Sequence, residues 1–161
     1  MSFALSLRSA PGVLFIYLLF LNCLLSVGAL PPGVYAIISN VFSAEDEALV
    51  ITYNGVNQPV TVTVWTDNPT QHWVIGGDDT EPQCVSPESA QDLQPAWGDN
   101  FVTVLLAVNY VWTISNHGTG YTIQDGGLTV FWGVADAVDG AGVTIGPGTG
   151  DETQRWSFES V

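Results

Sequence analysis

The sequence predicts an all-β fold, a closed β-trefoil of twelve short strands arranged in three repeats of about forty residues. Three observations lead there. Tryptophan recurs in similar settings at Trp73, Trp112 and Trp156, 39 and 44 residues apart, each followed two places later by Ile75, Ile114 or Phe158. That period of two puts both side chains on one face of a strand. Short β-branched runs are punctuated by Asn54-Gly55, Gly126-Gly127 and Gly146-Pro147-Gly148, which are turn sequences. Beyond residue 30 no segment carries the capping box and 3.6-residue stripe of an amphipathic helix. Closing three such units on one another removes the strand edges that would otherwise invite aggregation.

The elements follow in chain order. Residues 1–29 hold a single early cation, Arg8, then an apolar run from Val13 to Leu25 broken at Asn22, then Val27-Gly28-Ala29. This is the layout of a secretory signal peptide, too short for a bilayer span of about 20 residues. Cleavage after Ala29 is expected, leaving a secreted chain with no stable membrane insertion. Repeat one, about residues 31–79, opens with a strand at Val34–Ile38. It continues with a run ending at Tyr53-Asn54-Gly55, an alternating strand at Val60–Val64 and the motif strand Thr70–Ile75. Repeat two, about 80–117, has Gln83–Val85, a run ending at Ala96-Trp97-Gly98, Phe101–Leu105 and Asn109–Ile114. Repeat three, about 118–161, has Tyr121–Ile123, a run at Phe131-Trp132-Gly133, Val143–Ile145 and Thr153–Phe158.

Composition removes whole classes of function. The chain has 161 residues, 16 acidic and two basic, Arg8 and Arg155, with no lysine and a formal net charge of −14. Nucleic-acid binding needs clustered Lys and Arg, and a Schiff-base or P-loop lysine is impossible. Cys84 is the sole cysteine after the leader, so no internal disulfide can form; it reads as buried in a strand or else as an intermolecular partner.

The repeats allow the chain to be compared with itself. Trp73, Trp112 and Trp156 read as core, and so do Tyr53, Ala96 and Phe131, which are apolar in every repeat. The next position holds Asn54, Trp97 and Trp132, and tolerance of an amide there predicts exposure of both tryptophans. The two positions before the motif tryptophan hold Gln71-His72, Tyr110-Val111 and Gln154-Arg155. Repeat two thus replaces polar groups with Trp97, Tyr110 and Val111. Exposed aromatic and aliphatic groups on an acidic protein mark a binding patch. A tryptophan face attracts the C–H groups of a sugar ring, rim hydroxyl or N–H groups add hydrogen bonds, and Val111 suits a methyl group. Trp132 is a secondary candidate for the same reason. The other reading of Trp97 is a satellite core beneath a loop.

The Gln-x-Trp pattern, present at Gln71/Trp73 and Gln154/Trp156 and altered at Tyr110/Trp112, resembles that of ricin-B-like β-trefoil lectins. Pro32-Gly33-Val34-Tyr35, Ile51–Gly55, Ala96-Trp97-Gly98, Asn109–Ile114, Gly120–Gly127 and Gly150–Trp156 are more closely similar to a group of mushroom lectins, over roughly residues 31 to 161. The resemblance implies recognition of a fucosylated chitobiose core of N-glycans. By matching motif the binding positions would be Trp97, Leu105, Asn109, Tyr110, Val111 and Trp112. It also implies glycans or glycoproteins as partners, and defence against animals that feed on the fungus. The leader departs from the group, whose members are typically cytoplasmic.

Other chemistry finds less support. No carboxylate pair stands in a glycosidase motif; Glu45-Asp46-Glu47, Asp78-Asp79 and Asp151-Glu152 read as solvated loops. His72, His117 and Cys84 are too scattered for a metal site, so neither a metal, a cofactor nor an enzyme activity is expected. The rival function is protease inhibition through an exposed loop, with Asn40–Glu47, Asp78–Gln83 and Ala135–Gly142 as candidates. With Arg155 placed in a strand, a cysteine protease is a better target than a trypsin-like one. A monomer or weak homodimer is expected.

Overall fold

The computed structural model describes residues 30–77 and 82–161. The leader and the Asp78-Asp79 pair, together with most of the Asp78–Gln83 loop, lie outside the described residues. Twelve strands are present: β1 Gly33–Ser39, β2 Leu49–Thr52, β3 Thr61–Val64, β4 His72–Gly76, β5 Cys84–Pro87, β6 Leu93–Trp97, β7 Val102–Leu106, β8 Trp112–Asn116, β9 Tyr121–Asp125, β10 Phe131–Val134, β11 Val143–Gly146 and β12 Trp156–Ser160. Single 3-10 turns at Pro69–Gln71 and Glu152–Gln154 precede β4 and β12.

Six strands form the barrel. β1 pairs with β12 and β4, β4 with β5, and β8 with β9, all antiparallel. β9 meets β12 at Tyr121–Trp156, and the ring closes where Gln83 and Trp112 exchange backbone hydrogen bonds of 2.7 and 2.8 Å. The hairpins β2–β3, β6–β7 and β10–β11 cap one end. Bridges at Pro59–Thr103, Thr61–Gly142 and Phe101–Thr144 join each hairpin to the other two, which completes a triangle. The fold is the β-trefoil.

The motif tryptophans are the pegs that fasten cap to barrel. Trp73 and Trp156 are 0% exposed and Trp112 3%. Each indole N–H donates to a hairpin carbonyl: Trp73 to Ile51 at 2.9 Å, Trp112 to Pro95 at 3.1 Å, Trp156 to Trp132 at 3.3 Å. Burying a donor without a partner is costly, so these bonds fix the register of each hairpin against the barrel.

That register corrects the alignment of the repeats. Ile51, Pro95 and Trp132 are equivalent, and their partners Val62, Val104 and Ile145 all face the core. The position expected to be exposed therefore holds Tyr53, Trp97 and Val134. Trp132 is fully buried, with its ring edge-on to Trp112 at 4.8 Å between centroids, so it is not a surface site. The expectation failed because glycine is not a fixed landmark. Gly55 and Gly98 lie beyond the ends of β2 and β6, whereas Gly133 lies inside β10. The same slip explains why Tyr53 and Phe131 are only half-buried while Ala96 is buried.

Two further expectations change. Gln71 and Gln154 do not face water; they are 2% and 8% exposed and tie down the loops beside them. The Gln71 side-chain oxygen accepts from the Thr66 and Asn68 backbone N–H groups at 3.0 and 3.3 Å, while its amide donates to the Thr63 hydroxyl and the Val64 carbonyl, both at 2.9 Å. Gln154 likewise accepts from Thr149 N–H at 2.8 Å and donates to the Pro147 carbonyl at 2.9 Å. Cys84 is half-buried rather than buried, because Val85 takes the inward-facing position of β5.

The turn after β9 is built on one carboxylate. Asp125 accepts backbone N–H bonds from Thr129 (2.6 Å), Val130 (2.9 Å) and Gly127 (3.2 Å), and a hydroxyl bond from Thr129 (3.0 Å). Desolvation, the largest single influence, pushes its pKa up, but the bonds from Val130, Thr129 and Gly127 together outweigh it and hold the pKa below the usual value.

Candidate functional site

Repeat two differs from its siblings at the position of the loop-fastening glutamine. Tyr110 stands where Gln71 and Gln154 stand, so the segment between β7 and β8 has no glutamine of its own to hold it. Its tie is made from the other side: Gln94 on β6, 7% exposed, accepts the Tyr110 backbone N–H at 3.1 Å. Asn109 adopts φ +64°, a left-handed conformation that asparagine tolerates better than most residues, and the chain turns there into β8.

The consequence is an apolar surface. Five of the ten exposed large hydrophobic residues among those described lie between positions 97 and 111: Trp97, Phe101, Leu106, Val108 and Val111. Trp97 is 56% exposed because it occupies the last rung of the β6–β7 hairpin, opposite Val102. Gly98 then turns the chain so tightly that a Cβ there would lie 2.8 Å from the Phe101 carbonyl oxygen. The one further rung, Gly98 N–H to the Phe101 carbonyl at 3.0 Å, brings no side chain from Gly98 to cover the indole.

The structure places the six expected positions in three settings. Leu105, half-buried, pairs with Gln94, which in turn holds Tyr110; these join the exposed Asn109 and Val111 into one surface. Trp97 lies three residues beyond Gln94, about 10 Å along the strand and on its opposite face. Trp112 is core: its ring is buried and its N–H is used by Pro95. The sequence reading missed Leu106 and Val108, 66% and 65% exposed. Their signal was legible, since Leu105-Leu106-Ala107-Val108, the end of β7 and the start of the loop after it, holds no polar residue.

The equivalent position before the motif tryptophan is built differently elsewhere. His72 in repeat one is half-buried between two carboxylates, Asp67 at 3.0 Å and Glu88 at 3.1 Å. Among the inhibitor-loop candidates, Asn40 is engaged rather than free, donating to the Thr119 carbonyl at 2.8 Å and to Glu152 at 3.2 Å. Ala135–Gly142 lines an open groove with Phe101. Among the described residues no three His, Cys, Asp or Glu side chains gather to hold a metal ion.

The ring of six strands capped by three hairpins defines the protein as a β-trefoil, with an apolar patch in repeat two. Residues 33–156 match the CCL2-like family, described as CCL2 lectin-like, and the chain belongs to that family. No curated protein matches it. Among solved structures it resembles the Rhizoctonia solani agglutinin, with a TM-score of 0.65 and 13% identity, covering 83% of this chain and 98% of that one. The Macrolepiota procera ricin B-like lectin, solved with lactose, gives 0.65 and 13% over 82% and 99%. A mosquitocidal holotoxin gives 0.71 and 15%, but this chain spans 18% of its length. At such identities the likeness shows the fold, while the family match supports carbohydrate binding.

Proposed function

We propose that the protein is a secreted lectin that binds N-glycan core saccharides at repeat two, with GlcNAc or chitobiose units carrying fucose as the ligand. The observation that carries this reading is the run of exposed apolar side chains between Trp97 and Val111, with Tyr110 standing where the other repeats place a loop-fastening glutamine. Trp97 offers a ring face for stacking, the Tyr110 hydroxyl a rim hydrogen bond and Val111 a surface for a methyl group. Binding is reversible and modest at one site, because a sugar offers few apolar atoms to bury. Avidity on a cell surface would require a second site or a dimer. The residues 1–29 leader supports secretion, and binding of gut glycans in animals that feed on the producing organism is the defensive role we infer from the mushroom-lectin resemblance.

A glycan array probed with the purified protein tests the reading. Binding confined to fucosylated or chitobiose-containing glycans, lost in Trp97→Ala and Tyr110→Ala, is the expected result. A blank array from folded protein would overturn it and direct attention to cysteine-protease inhibition.

A further inference from the structure

Repeat three carries an open cleft of about 350 Å³ between β9, the start of β10 and the loop leading into β12. Its chemistry is unlike the rest of the surface. Among the described residues no carboxylate lines this cleft, and Arg155, the only Lys or Arg among them, does. Ion pairs among the described residues are confined to His72, so the Arg155 guanidinium is not neutralised by a carboxylate within 4.0 Å. The nearby Glu152 carboxylate is instead engaged by the Asn40 amide at 3.2 Å. The three repeats therefore treat one position in three ways: His72 is clamped by two carboxylates, Val111 is apolar, and Arg155 lines a cleft with no carboxylate partner among the described residues.

The cleft is a built one. Gln154 holds its loop wall through the Pro147 and Thr149 backbone. Gly148 lets that loop lie against Phe131, since a Cβ there would come within 2.7 Å of the ring. Phe131 is half-buried and presents a partly open aromatic surface. On the opposite wall His117 meets the Thr122 hydroxyl at 3.1 Å, which in turn meets the Gln124 side-chain oxygen at 3.4 Å. Gln124 is 9% exposed, and its amide nitrogen has no hydrogen-bond partner among the described residues.

We propose that this cleft is a second saccharide site, selective for a sugar that bears a carboxylate, such as a uronic acid. The Arg155 guanidinium takes the carboxylate in a charge-assisted pair, Phe131 packs against the ring's C–H face, and the Gln124 amide donates to a ring substituent. The inference rests on the lectin reading of the protein. The net charge of −14 repels anions at long range, but at physiological ionic strength such fields decay within about 8 Å; Asp125, Asp151 and Glu152 lie close to lining residues in the chain, and Arg155 is the charged group that lines the cleft itself.

The test is calorimetric or NMR titration of the full protein at about 0.15 M salt. The ligands are methyl glucuronide, methyl glucoside and inorganic sulfate, each also titrated into Arg155→Gln and Tyr110→Ala, with a thermal melt of every variant. The expected result is that methyl glucuronide binds about tenfold or more tighter than methyl glucoside and loses about tenfold or more in folded Arg155→Gln, while Tyr110→Ala leaves it unchanged. Equal affinity for both glycosides, persistence in Arg155→Gln or loss in Tyr110→Ala would overturn the site. Sulfate binding as tightly as the glucuronide would reduce it to an anion site and overturn the saccharide claim. If the glucuronide fails while fucosylated chitobiose binds, this proposal falls and the lectin reading stands; if no saccharide binds, both fall.

Discussion

Trp73 and Trp132 are both fully buried, yet one indole N–H is bonded and the other is not, and this difference has a measurable consequence. Trp73 donates to the Ile51 carbonyl at 2.9 Å, whereas the Trp132 N–H is buried without a partner. Replacing either by Phe removes a similar amount of apolar ring from a site with 0% exposure, so the packing cost should be alike, roughly 1–2 kcal/mol. The polar terms have opposite signs. Trp73→Phe breaks a hydrogen bond and leaves a buried carbonyl unpaired, adding about 1–3 kcal/mol. Trp132→Phe removes an unpaired donor and returns part of a penalty of similar size. Trp73→Phe should therefore be less stable than Trp132→Phe by about 2–4 kcal/mol. Urea melts followed by far-ultraviolet circular dichroism, with unchanged m-values, would measure it. Equal losses, or a larger one in Trp132→Phe, would refute the account of how the cap is pegged to the barrel.

Three other predictions follow from the same geometry. Trp97→Ala and Tyr110→Ala should abolish glycan binding while lowering stability by no more than about 1–2 kcal/mol, since Trp97 is largely exposed; Trp112→Ala should instead cost roughly 3–5 kcal/mol by denaturant titration. Gln71→Ala should cost about 2–4 kcal/mol, because it strands the Thr66 and Asn68 N–H groups and the Val64 carbonyl, and amide exchange in that loop should accelerate. Asp125 has a folded-state pKa below its unfolded value of 3.8, so its contribution to stability is present above that pH and is lost as pH falls through the folded value. Asp125→Asn should be less stable at neutral pH and show a shallower loss below pH 3.8 in pH-dependent melts; an unchanged acid slope would contradict the Asp125 turn.

Much of the fold was legible because it depends on local alternation. Val60–Val64, Val143–Ile145 and the three motif tryptophans advertise inward and outward faces, and the structure keeps them. Exposure of Trp97 was anticipated, although through an alignment that misplaced its counterparts, by one residue at Asn54 and by two at Trp132. Hairpin connections differ in length among the repeats, so counting from a glycine shifts the frame: the one-residue slip at Asn54 changes the face, while the two-residue slip at Trp132 keeps the face but moves the residue from the hairpin's open end into the core. Trp132 paid for that shift, and the roles of Gln71 and Gln154 were missed because polarity alone suggested exposure. A glutamine can be buried when both ends of its amide find backbone partners, and those partners lie in loops whose paths the sequence does not state.

The sequence by itself determined the repeat count, the strand-forming segments, the acidic character and the apolar departure of repeat two, because each is written in residue type and short-range period. Tertiary structure decided which tryptophans are pegs and which are surface, that buried glutamines fasten two loops, and that Arg155 lines a cleft where no described carboxylate pairs with it. Those properties arise from contacts between residues distant in the chain, such as Asn40 with Glu152 and Trp156 with Trp132. Burial and charge pairing belong to an environment assembled from several segments, and no single segment carries that information.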